Sequence, residues 1–169
     1  MMYPSYIIDN FFDNPDTIVK LANSIPFPHK GDQSPGERTD TLHETHNDFF
    51  QWSALRMLSA VFPGEKFNFT AKSRFQKISK KLSEVDFIHQ DTTAKLTAIV
   101  YLDKNGINGT SLFKPKTFVT LGLKDSTKYD YFKYPEKYKK NKLKELQREK
   151  EALHDRFEET LSVSGVYNR

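Results

Sequence analysis

The sequence predicts an α+β domain in which an antiparallel sheet or barrel is flanked by helices. Three observations point there. Helix-start signals and apolar residues at helical spacing occupy the first third of the chain. Alternating runs rich in Phe, Val, Ile and Thr fill the centre, and a highly charged stretch with helical periodicity follows at 135–161. The 169 residues suit one domain with a real core, and 14 Phe and 8 Tyr supply unusually bulky material for it.

The opening "YPSYIIDNFFDNP" reads as a short strand and a turn. In "NPDTIVKLANSI" Asn14 is placed to cap a helix, Pro15 to take its first position and Asp16 to sit in its first turn. Ile18, Leu21, Ala22 and Ile25 form the apolar face, and Pro26 stops it. Residues 26–41, rich in Pro, Gly and polar side chains, read as a long loop of the kind that often carries function. A second helix is expected from Asn47, where Asn47 and Asp48 suit cap and first turn. Its apolar side holds Trp52, Leu55, Leu58, Ser59 and Phe62, and Pro63-Gly64 closes it. "FNFTAKSRF" alternates as a half-buried strand does. "VDFIHQD", "KLTAIVYL" and "GTSLFKP" give further strands, with "DKNGINGT" as the turn before the last. From 135 to 161, Leu143, Leu146, Leu153, Phe157 and Leu161 form the seam of a long amphipathic helix. That seam faces either its own sheet or a partner, a second copy included. The final "SVSGVYNR" looks like a strand beginning.

Composition narrows the function classes. There is no Cys, which excludes disulfides, thiolate zinc and a cysteine nucleophile and suits a cytoplasmic protein. No apolar run is long enough to span a membrane, and the first residues lack the features of a signal peptide. A net charge of +4 permits nucleic-acid contact without indicating it, because acidic residues interleave the basic ones of the charged helix.

In "FIHQD" (87–91), His89 and Asp91 are one residue apart. On a strand such positions share a face, so imidazole and carboxylate can converge, as two of the three ligands of a 2-His-1-carboxylate iron site do. The bland alternative is a structural hydrogen-bonded pair. His46-Asn47-Asp48 repeats the spacing at a helix start, and "HETH" (43–46) lacks the zinc-protease spacing.

The longer stretch "FIHQDTTAKLTAIVYLDKNGINGTSLF" resembles the core of Fe(II)/2-oxoglutarate-dependent oxygenases of the prolyl-4-hydroxylase-like kind. His89, Asp91, Tyr101, Leu102, Gly109, Thr110 and Phe113 fall in that family's order. "IIDNFFDNPDTIVKLANSI" and "SPGERTDTL" are similar to the N-terminal region of a phage- and marine-bacterium-associated branch. The resemblance implies a double-stranded β-helix (jelly roll) with N-terminal helices. Residues 1–64 would be the helical part, 65–133 the jelly-roll core, 134–162 an inserted charged helix and 163–169 the start of a late strand. It implies Fe(II) as metal, 2-oxoglutarate as cosubstrate and hydroxylation of a C–H bond on a substrate the sequence does not name. If the chain is viral, the compartment is the host cytoplasm.

The same resemblance exposes a gap. The family's distal His would follow a segment like "VYNR", and after Asp91 the chain's one histidine is His154. Three readings stand: a half-enzyme completed by another chain; a site closed by His154 or by His29, His43 or His46; or a non-catalytic binding or structural module. As cosubstrate contacts, the resemblance suggests Gln76 on the preceding strand, Tyr101 and Arg169. Arg38, on the long loop, is a candidate for substrate.

Overall fold

The computed structural model describes residues 5–30, 36–66, 68–78, 88–89, 94–106, 109–117, 144, 147–148, 151–152 and 154–169. Helix α1 (Pro15–Ser24) starts as its sequence dictates. Asn14 Oδ1 accepts from the Thr17 amide at 3.3 Å, Pro15 opens the helix and Asp16 lies in its first turn. Its inward face buries Ile18, and the extended Ile25 ends it just before Pro26.

The stretch expected to be a loop carries more order than its composition suggests. β1 (His29–Lys30) and β2 (Glu37–Arg38) pair antiparallel, and β2 pairs in turn with β3 (Gln76–Lys77). Pairing continues past the ladder: the Thr39 amide donates to Phe75 O at 3.1 Å, and the Leu42 amide donates to Ser73 O at 3.0 Å. The Thr39 hydroxyl, fully buried, also accepts from the Phe75 amide at 3.1 Å. A one-turn helix, α2 (Leu42–Thr45), then leads into α3 (Asn47–Val61). His46 occupies the cap position of α3, so Asn47 is its first helical residue, with Asp48 in the first turn.

The face of α3 differs from the expectation. Phe50 is buried and Phe49 and Met57 pack on the core, whereas Trp52 and Leu55 are 44% and 54% exposed. Helical spacing alone admits both stripes, and the aromatic pair Phe49–Phe50 decides which one turns inward. Trp52 keeps one ring face covered, stacked on Phe12 with centroids 5.6 Å apart.

β4 (Gly109–Pro115) coincides with the expected "GTSLFKP" strand and pairs antiparallel with β5 (Phe157–Ser164), with a register shift between Leu112 and Phe113. Most of the long helix expected at 135–161 lies outside the described residues, but its end is corrected. Residues 151, 152 and 154 have helical geometry, and strand begins at Phe157. Phe157 sits opposite Pro115 and Leu161 opposite Leu112, so cross-strand pairing claims residues whose spacing also fits a helical seam. The architecture is α+β, with three helices and two small antiparallel sheets among the described residues, and no closed barrel among them. The expected strand at "VDFIHQD" falls largely outside the described residues, and "KLTAIVYL" runs through them without joining either ladder. No described helix is long and apolar enough to cross a membrane.

Two apolar clusters form the core. Phe11, Phe12 and Ile18 make one, and Ile25, Leu42 and Phe50 the other. Phe49 and Phe75 belong to the margins of both, and their rings stack at 5.7 Å. Val100 and Leu102 close the first cluster, and Asp103–Gly106 then turn the chain, with Asp103 Oδ1 accepting from the Asn105 amide.

The segment expected to open a late strand instead folds back on the N-terminal part. Asn168, 4% exposed, accepts from the Phe12 amide through Oδ1 and donates from Nδ2 to Phe12 O, both at 2.8 Å. Its carbonyl accepts from the Phe11 amide at 2.9 Å. Its amide donates to Tyr101 O, and the Tyr101 amide donates to Arg169 O. Around this knot Arg169 pairs with Asp9 at 2.6 Å, and the Tyr167 hydroxyl donates to Asp16.

Two outcomes follow from this docking. Asn168→Ala leaves both Phe12 backbone groups without partners and should cost about 3 kcal/mol in urea unfolding; Asn168→Asp, which sets a buried carboxylate oxygen against the Phe12 carbonyl, should cost at least as much. Desolvation and the hydrogen bond to Asp16 push the Tyr167 hydroxyl from 10.0 up to about 12. Its raised folded value stabilises the protein below pH 10 and that contribution is lost as pH climbs from 10 towards 12. Thermal unfolding across that window should fall less steeply for Tyr167→Phe than for the wild type.

Candidate functional site

The β1-β2-β3 sheet is two residues deep, so each face carries a single cross-strand row. Strand alternation places Lys30, Glu37 and Lys77 in one row, tied by the Lys30–Glu37 ion pair at 3.0 Å. The other row holds His29, Arg38 and Gln76. Here Arg38 Nη2 donates to Gln76 Oε1 at 3.4 Å, and His29 Nε2 lies 2.6 Å from Asp40 Oδ1. The row joins a guanidinium, a primary amide and an imidazole held by a carboxylate. Guanidinium and primary amide are the donor types that recognise carboxylates.

The structure thus makes neighbours of two residues singled out from sequence on different segments, Arg38 and Gln76. From sequence His29 is one of three loop histidines that could complete a metal site, and nothing marks Asp40. The signal for both was weak, because a strand of two residues shows no alternation to read.

The expected metal residues are placed less completely. His89 is exposed on irregular backbone, and Asp91 lies outside the described residues. His154 is set edge-on to Phe113, centroids 5.4 Å apart, with its Nε2 buried and without a hydrogen-bond partner. His43 packs against Phe50, and His46 Nδ1 is 3.0 Å from the Thr45 hydroxyl. Among the described residues no three His, Asp or Glu side chains come together to hold a metal.

Tyr101 and Arg169 have defined roles in the fold. The Tyr101 hydroxyl donates to Thr110 Oγ1 at 2.5 Å, joining the 94–106 segment to β4. Arg169 is gripped by both oxygens of Asp9, at 2.6 and 3.2 Å, and also donates to Ser164 Oγ. That hydrogen bond holds the Asp9 carboxyl below the usual carboxylate range, and Lys104 followed by Tyr167 does the same to Asp16.

The polar row depends on Gly36. Its φ of +86° is left-handed, and a Cβ there would lie 2.0 Å from the Lys77 carbonyl oxygen. Gly36→Ala should therefore open the β2–β3 register and separate Arg38 from Gln76. Two-dimensional NMR should show the Arg38 and Gln76 side-chain resonances moving together, with stability falling by about 2 kcal/mol or more.

Comparison with known proteins gives a family without an activity. No curated protein and no solved structure matches the chain. The model of DUF6445, described as a family of unknown function, matches residues 2–169, and the chain belongs to that family.

Proposed function

We propose that the chain is a domain of the Fe(II)/2-oxoglutarate-dependent oxygenase kind, a jelly roll in its finer architecture, acting as a hydroxylase with His89 and Asp91 as metal ligands. The observation that carries this reading is the contact between the two halves of the resembling motif. Tyr101 of the "YL" segment donates to Thr110 of the "GTSLF" strand, and β4 forms over Gly109–Pro115. Residues spaced nine apart in sequence are thus tied by a side-chain hydrogen bond, as a linked motif requires. The row of His29, Arg38 and Gln76 adds a group suited to a carboxylate-bearing cosubstrate or substrate. On this reading Fe(II), once held, would activate O₂ as the oxidant with 2-oxoglutarate oxidised alongside the substrate, and the domain works in the cytoplasm.

The described residues do not assemble an iron triad by themselves. His154 is turned onto Phe113, so the third ligand in this proposal comes from elsewhere, such as a partner chain. The docked tail favours a second reading. Where the family pattern would have a strand running on towards a distal His, Tyr167 and Asn168 form a turn closed against Phe11 and Phe12. A non-catalytic binding module accommodates that turn without further assumption.

Anaerobic Fe(II) titration separates the two. For the enzyme, micromolar binding should tighten with 2-oxoglutarate, and His89→Ala or Asp91→Ala should each weaken it by roughly 100-fold or more. Wild-type binding no tighter than that of the variants would remove the iron reading and leave the binding module.

A further inference from the structure

We propose that the groove between the start of α3 and residues 68–72 is a strand-addition site for an extended acidic peptide. The groove encloses about 500 Å³. On its helical side lie His43, Asn47 and Gln51, at four-residue steps, with Phe50 beneath. Among the described residues its other side is made by five in a row, 68 to 72.

That run of five defines the geometry. Alternate side chains of an extended segment point to opposite faces, so a groove touching every residue follows the backbone edge, not one face. Ala71 fixes the inner face against Ile25, Leu42 and Phe50. Further along the same segment the backbone is spoken for: Ser73 O accepts from Leu42, and Phe75 is paired with Thr39. Residues 68–72 make no hydrogen bond with any described residue. Pairing therefore stops where the groove begins, leaving a backbone without turn or bend, outside both ladders, along the groove. Such a backbone is a template for an added strand.

The walls specify the strand. Asn47 and Gln51 are exposed on α3 and offer amides that can satisfy a peptide's outward backbone groups. Lys72 lines the groove and, among the described residues, no carboxylate does, His43 being set against Glu44 at 3.8 Å, so acidic side chains are favoured beside Lys72. Phe50 and Phe69, the latter 38% exposed, give alternate positions of the peptide an apolar shelf. The matching partner alternates acidic and apolar residues. This site is independent of the iron reading, and its test contains no metal.

The probe is a fluorescein-labelled synthetic peptide of about eight residues alternating Glu and Val, read by anisotropy against the full chain. A Lys–Val peptide and a backbone N-methylated Glu–Val peptide should each bind roughly tenfold weaker or worse. Lys72→Glu should shift the preference towards the Lys–Val peptide, and Thr70→Pro, checked for folding by circular dichroism, should abolish binding. Absence of saturable binding, equal binding of the N-methylated peptide, or a preference unmoved by Lys72→Glu would each overturn the proposal. So would sedimentation showing self-association that Thr70→Pro removes while no peptide binds, because the edge would then belong to a second copy of the chain.

Discussion

One side-chain amide organises the fold: that of Asn168, which takes both backbone groups of Phe12 across a separation of 156 residues. A buried backbone amide and carbonyl with no partner would each carry a desolvation cost, and Phe12 sits too deep for water to meet it. Asn suits this position twice over, since its amide matches a donor and an acceptor at once. It also tolerates the left-handed backbone, φ 62°, that aims it inward. From the opposite side Arg56 of α3 donates to Phe11 O and forks onto Asp13. The Phe11–Phe12 segment is thus held between α3 and the tail, which lets two adjacent aromatic rings face the core from a segment without regular structure.

The two apolar clusters meet through Phe49 and Phe75, and this link ties the sheet to the helices. Phe75 is also the residue whose backbone pairs with Thr39, directly after the ladder that sets Arg38 against Gln76. Displacing the Phe75 ring would therefore disturb the adjoining polar row as well as the core. The candidate row is short, but its support is not local: it is anchored through one aromatic ring to both halves of the interior.

How far the sequence could be read follows from which forces were local. The α1 start was legible because Asn14, Pro15 and Asp16 act within one turn, and β4 because "GTSLFKP" is framed by a turn whose Asp103–Asn105 contact is itself local. The strand at Phe157–Ser164 was not, because "EALHDRFEETL" fits a helix until β4 is present to pair with it. The buried stripe of α3 was ambiguous for the same reason, as Phe49–Phe50 and Trp52–Leu55 compete for one core. β1 and β2, two residues each, exist only through their cross-strand partners. At the site, Arg38 and Gln76 stood out as polar residues on suggestive segments. Their proximity, and Asp40 beside His29, came only with the register.

The resembling motif divides into residues set by the ladders and the core and a residue that lies outside them. A Cβ on Gly109 would lie 2.3 Å from the Val163 carbonyl oxygen, so the approach of β5 alone demands glycine there. Thr110 receives the Tyr101 hydroxyl, and Tyr101 receives the tail, so packing and hydrogen bonding account for both. His89 is different in kind. It is exposed, lies outside both apolar clusters and belongs to neither ladder. Apolar packing and strand pairing thus account for Gly109, Thr110 and Tyr101, whereas the exposed His89 stands outside both, where a residue can serve chemistry without disturbing the core.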